Sequence, residues 1–225
     1  IDIHRFSDDL LLAPQGIFAI IGGEDDAFSI TAAPNYDKQP PSENKKGKPD
    51  KRSRTFEGVK RRAEFETGAA IFTAETGSLE AGMRAMVHPR LPCEQRQVVV
   101  KNHASHRTTV SVMFYFEPSL AGRNDALAHP AFSRIFLSTK KDEAVQALFV
   151  TRRQREGEPP ACLAAGFLDD REFEYEPSRE FLLDRPLGIG SLPSAINKPF
   201  SSSGEGIPDS AVAMRIKLEL PPHTQ

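Results

Sequence analysis

The 225-residue chain has no tryptophan and only three tyrosines. Sugar-binding modules stack flat sugar faces on aromatic rings, and tryptophan is the best platform for that. Composition alone therefore gives no free-standing sugar-binding module. Fifteen phenylalanines are present, but most fall at alternating positions of apolar runs, where they read as core. Cysteine is nearly absent. Cys93 and Cys162 cannot build a disulfide framework and stand in no metal-type spacing. They are expected to be plain buried thiols. Neither charge dominates, with 29 basic and 31 acidic residues and a formal charge of −2. A general nucleic-acid surface needs a basic excess, so nucleic acid is excluded as a partner. No apolar run is long enough to span a bilayer. The opening "IDIHRFSDDLLLAPQG" lacks the charged start, apolar block and cleavage site of a signal peptide. A soluble, cytoplasmic protein is expected. There is no G-x-S-x-G elbow, P-loop or dinucleotide fingerprint, and no cofactor is expected. The many carboxylates show no spacing that names a glycosidase pair.

What the chain does have is alternation. In "TTVSVMFYFEP" Val110, Val112, Phe114 and Phe116 point one way, and Thr109, Ser111, Met113 and Tyr115 the other. Half of the second set is apolar, so both faces of this strand are expected to be covered, as in the middle sheet of a stacked structure. Leu79, Ala81, Met83, Ala85 and Val87 form a second period-two stripe, and Val212, Met214, Ile216, Leu218 and Leu220 a third. "GIFAIIGG" (16–23) reads as a buried strand, "EDDAFSITAAPN" as another, and "RIFLSTKKDEAVQALFVTRRQ" (134–154) as a hairpin with "TKKDEAV" at its turn. "ACLAAGFLDD" and "REFEYEP" are strand-like. No stretch sustains a 3.6-residue period, and "SREFLLDR" (178–185) offers at most a short helical turn. Eighteen prolines and fifteen glycines lie scattered between the runs, as turns between many strands. The fold class is all-β with at most short helices.

"DKQPPSENKKGKPDKRSRT" (37–55) carries almost nothing apolar and is expected to be a mobile, basic, proline-rich loop. His103 and His106, in "NHASHR" between two strands, are three apart, but a zinc site needs further ligands; they read as exposed turn residues. "RIKLELPPHTQ" stops on a Pro-Pro turn where a sandwich normally continues. Residues 1–225 are therefore expected to be a single β-sandwich domain and a fragment of a larger chain.

The run from residue 98 to 153 resembles a known family. A strand ending in Asn102 leads through a hairpin to a strand ending in Glu117. Then comes an Asp-x-x-x-His-Pro-Ala-Phe corner at Asp125, His129, Pro130, Ala131 and Phe132, and later the pair Arg152 and Arg153. Tyr175, Glu176, Phe181, Leu182 and Arg185 are similar to the family's next segment, although "FLLDR" departs from its usual Phe-Leu-Gly-Arg. These features resemble the N-terminal β-sandwich of the family-94 glycoside phosphorylases and cyclic β-1,2-glucan synthases, formerly glycosyltransferase family 36. The likeness covers residues 95–225 well and 10–94 loosely. It implies a galactose-mutarotase-like supersandwich of large antiparallel sheets. It also implies a helical α/α-barrel partner carrying the general acid and most sugar contacts, a β-glucan oligosaccharide substrate and inorganic phosphate as co-substrate of the full enzyme. A homodimer is a further expectation. None of the barrel motifs is in this sequence, so no catalytic residue carries over and the chain alone is expected to be inactive.

The corner "DALAHPAFSRIFLS" (125–138) thus reads as structural. Asp125 would accept a hydrogen bond from backbone or from His129, Pro130 would set the chain direction, and Phe132 and Phe136 would anchor the corner in the core. Asp125, His129 and Arg185 are the candidate contacts to a sugar cleft or domain boundary. Two alternatives stand beside the supporting-domain reading: a stand-alone mutarotase, in which His129 and Glu117 would have to converge, and a separate sugar-binding assembly subunit.

Overall fold

A computed structural model describes residues 2–5, 15–23, 27–34, 58–154, 157, 160–169, 171–203 and 209–224. The segment 37–55 lies outside the described residues. The strands are β1 (Asp2–His4), β2 (Phe18–Gly22), β3 (Ala27–Ser29), β4 (Lys60–Glu66), β5 (Ala69–Glu75), β6 (Leu79–Val87), β7 (Glu94–Asn102), β8 (Thr108–Phe116), β9 (Pro118–Ala121), β10 (Leu137–Asp142), β11 (Ala147–Arg152), β12 (Cys162–Gly166), β13 (Glu174–Ser178) and β14 (Ser210–Leu220). Among the described residues four short helices interrupt them: α1 (Arg123–Ala128), α2 (Pro130–Ile135), α3 (Arg179–Leu182) and α4 (Leu192–Ala195), the last preceded by a 3-10 turn at Ile189–Ser191. The all-β reading holds.

The centre is a five-stranded antiparallel sheet in the order β13-β14-β8-β2-β3. Strand β8 lies between β14 and β2, with Val112 opposite both Ile216 and Ile21. Side chains alternate across it, so its two faces bury different sets. On one face Val110 and Val112 join Ala19, Ile21, Phe28 and Leu220 against Ala74, Leu79, Ala81, Met83 and Val100 of the sheet β4-β5-β6-β7. Further along the same face Phe116, Tyr175, Val212 and Met214 meet Leu137, Leu148 and Val150 of the sheet β10-β11-β12. Phe114 packs against both clusters.

The opposite face is covered too. Phe18, Ile20, Met113, Tyr115, Ala211 and Ala213 pack against Leu182, Leu183, Ile189, Leu192, Ala195 and Ile196 from the short-helix segment after β13. Burying one such Ile, Leu or Val side chain is worth about 1.5–3 kcal/mol. The cover lies close: a Cβ on Gly22 would stand 2.8 Å from Cγ2 of Ile196. Glycine at the end of β2 lets that side chain approach the backbone. Arg215, on β14 and 4% exposed, fastens the segment further. Its guanidinium donates to the carbonyls of Ile196 and Lys198 and to Glu174, and stacks 4.0 Å from the centre of the Phe200 ring.

One expectation needs correction. Cys93 and Cys162 are both exposed. Cys93 sits in the turn between β6 and β7, and β12, which carries Cys162, is an edge strand of its sheet. The stripe on β6 is dry only over its first half: Leu79, Ala81 and Met83 are buried, whereas Val87 is exposed.

Candidate functional site

The corner at residues 122–136 is a pair of short helices. Gly122 stands before α1 in an extended conformation, and Pro130 opens α2, where its missing N–H costs no helix bond. His129 ends one helix and begins the next. Its N–H donates to the Asp125 carbonyl at 3.2 Å, and its own carbonyl accepts from the Ser133 N–H at 3.0 Å. The structure therefore brings Asp125 and His129 together through the backbone, with both residues exposed. Arg185 lies elsewhere, paired with Glu180 at 2.7 Å on an exposed surface. Phe136 is half-buried beneath Arg152, whose guanidinium is 5.7 Å from the ring centre and donates to the Ser133 carbonyl. The Arg153 N–H donates to the Phe136 carbonyl at 2.8 Å. The Arg-Arg pair thus ties α2 to the end of β11.

Beneath this corner is a cluster of charges that no single stretch of sequence announces. Glu117 follows β8 and is 4% exposed. One of its oxygens, Oε2, accepts from Arg5 at 2.7 Å. The other, Oε1, accepts from the Tyr115 hydroxyl at 2.7 Å and from Arg179 Nε at 2.8 Å. Arg5 also reaches Oδ1 of Asp209 at 2.6 Å and the Ser210 carbonyl at 3.1 Å. Arg134, on α2, contacts Oδ2 of Asp209 at 3.4 Å, and Arg179 lies 3.7 Å from the same oxygen. Backbone bonds hold the contributing segments in place. The Arg5 N–H donates to the Glu117 carbonyl, and the Arg179 N–H to the Asp209 carbonyl.

Burial sets the electrostatics. It pushes the Tyr115 phenol well above its ordinary value of 10.0, with Glu117 beside it adding to the shift. Burial alone would lower Arg179, but the charge and hydrogen bond of Glu117, with Tyr115 and Asp209, together outweigh it and leave it raised. Arg134 is lowered, first by burial and then by the positive charge of Arg5. With both oxygens of Glu117 taken by cations and a phenol, the carboxylate is placed to anchor three chain segments. His129 takes no part in any of these bonds to Glu117.

Other buried polar groups are anchors of the same kind. Glu176 accepts from the N–H groups of Ser178 and Ser201. Asn102, 1% exposed, donates to the carbonyls of His106, Leu220 and Pro221 and so ties the end of β14 to the turn before β8. His103 and His106 are exposed in that turn, His103 lying 3.3 Å from Glu80. Among the described residues no group of three or more His, Cys, Asp or Glu side chains is arranged to hold a metal, and no helix is long and apolar enough to cross a membrane.

A family model described as the supersandwich domain of glycosyl hydrolase 94 matches residues 2–225. The chain belongs to that family. The antiparallel stack is thus the family-94 supersandwich, as the run 98–153 implied. A curated relative, the cyclic β-(1,2)-glucan synthase NdvB of Rhizobium meliloti (strain 1021), is 28% identical over 134 residues. That alignment takes in 59% of this chain and 5% of the relative, so the chain spans a small part of that protein's length.

Arg5, Tyr115, Arg134, Arg179 and Asp209 did not stand out in the sequence. One signal was available. Glu117 closes a strand that is apolar on both faces, and a carboxylate there needs cations brought from elsewhere.

Proposed function

We propose that this family-94 supersandwich is a supporting domain of a larger enzyme acting on β-linked glucans, of the phosphorylase or cyclic β-1,2-glucan synthase type. In this reading a helical α/α barrel performs the chemistry, and inorganic phosphate is a co-substrate where the enzyme is a phosphorylase. The sandwich shapes a sugar-facing boundary or a dimer contact, with Asp125, His129 and Arg185 as the residues offered to it. The observation that carries the reading is the match of the family's supersandwich to essentially the whole chain. The likeness to a glucan synthase supports the substrate class.

The chemistry of the corner agrees. Inverting phosphorolysis needs a positioned acid for the leaving oxygen and dipolar or cationic groups around the phosphate. Glu117 is spent on Arg5, Arg179 and Tyr115. The test is phosphate-dependent release of glucose 1-phosphate from β-1,2- and β-1,4-gluco-oligosaccharides by the purified chain, wild type beside Asp125→Asn. No release is expected. Robust turnover abolished by that substitution would make the corner an active site and overturn the reading.

A further inference from the structure

A cavity of about 60 Å³ opens between the start of β9 and the two corner helices, lined by Arg5, Pro118, Ser119, Ala126, Leu127, Ser133 and Arg134. It lies directly against the charge cluster. There, among the described residues, the three guanidiniums of Arg5, Arg134 and Arg179 face the two carboxylates of Glu117 and Asp209. The pairing is uneven. Arg5 and Arg179 each reach a carboxylate oxygen within 2.8 Å, but Arg134 reaches Asp209 only at 3.4 Å. Nε of Arg5 is buried with no acceptor, although the side chain as a whole is 10% exposed. A buried donor without an acceptor is costly, and a guanidinium's preferred acceptor is a planar or tetrahedral oxyanion.

We propose that this cavity binds a small oxyanion of the phosphate or sulfate class, with Arg134 and Arg5 supplying the charge and Ser119 and Ser133 forming the wall. The cavity has room for one such group. Arg5 and Arg134 both line it, and Arg134 is the less closely paired of the two. Burial and the charge of Arg5 both disfavour the cationic form of Arg134, which an anion would relieve. The site lies at the junction of β9 with α1 and α2, so occupancy would bind the corner helices to the sandwich. It is independent of the reading above: its failure leaves the supporting role of the domain untouched.

The test uses all 225 residues and inorganic phosphate at constant ionic strength, followed by calorimetric titration and by the thermal midpoint. Sulfate, acetate and glucose 1-phosphate serve as separate arms. Arg134→Gln removes the least paired cation, and Ala126→Glu places a carboxylate on the wall. Saturable phosphate binding that raises the midpoint is expected, weakened at least about tenfold in each variant, as the loss of a charge-assisted hydrogen bond implies. Binding of sulfate but not acetate would confirm the tetrahedral oxyanion, and equal binding of glucose 1-phosphate would extend it to phosphate esters. No saturable binding, or binding unchanged in both variants, overturns the proposal.

Discussion

Strand β8 passes through two environments. At Val110 and Val112 it lies in a dry cluster with Ala81, Met83 and Val100 of the facing sheet. Beyond its far end, at Glu117, it meets Arg5 from behind β1, Arg179 from α3 and, through Asp209, the start of β14. The first region is held by contact area, which is undirected and tolerates exchange of one apolar group for another of similar size. The second is held by a few directed bonds between charges removed from water. There the loss of one partner leaves the rest uncompensated. The same strand is therefore robust along its length and brittle at its end.

The largest effect should come from breaking the brittle end. Glu117→Gln leaves two half-buried guanidiniums facing a buried neutral amide, and a loss of about 3–5 kcal/mol is expected. Urea denaturation measures it. A loss below about 1 kcal/mol would mean that the cluster is solvated and that the contrast with the dry core is false.

Tyr115→Phe should cost less, about 1.5–3 kcal/mol at neutral pH, the worth of a hydrogen bond to a charged acceptor. It also sharpens the comparison through pH. Because the folded-state pKa of Tyr115 lies above its unfolded value, the folded chain holds this proton more tightly than the unfolded one. The contribution is complete below the unfolded value of about 10 and declines as pH rises from there toward the folded value. Wild type should lose stability on that alkaline side, and the difference between wild type and Tyr115→Phe should shrink. A gap that stays constant across the range would put the phenol in water.

Ile21→Val should cost least, about 0.5–1.5 kcal/mol. Ile21 is fully buried among apolar groups, so its loss should not change with pH or salt. A salt-dependent loss measured by the same denaturation would show that the two regions are not separable.

The two regions also differ in how far they could be read from sequence. The stripes Val110–Phe116 and Val212–Leu220 show the period of a strand, and both lie in the central sheet. That they are neighbours was not legible, because more than a hundred positions separate partners such as Val112 and Ile216. The corner helices, six residues each, are too short for a 3.6-residue period to declare itself. The charge cluster was the least visible. Arg5, Arg134, Arg179 and Asp209 lie in separate segments, and each is locally an ordinary charged residue. Only the fold makes them neighbours of Glu117. Asp125 and His129 stand in one contiguous run, so they are legible together in the sequence, and both lie exposed on the corner.

Glu117 carries the central claim, that the corner is built to hold segments together rather than to move protons. A sugar mutarotase needs a carboxylate free to exchange a proton, whereas here Arg5, Arg179 and Tyr115 occupy both oxygens. The direct measurement is the rate at which α-glucose converts to its β anomer, followed by polarimetry with the purified chain beside Glu117→Gln. The rate should equal that of buffer alone for both proteins, while the variant loses stability. Acceleration by wild type that disappears in a variant of undiminished stability would make Glu117 a catalytic base and contradict the account.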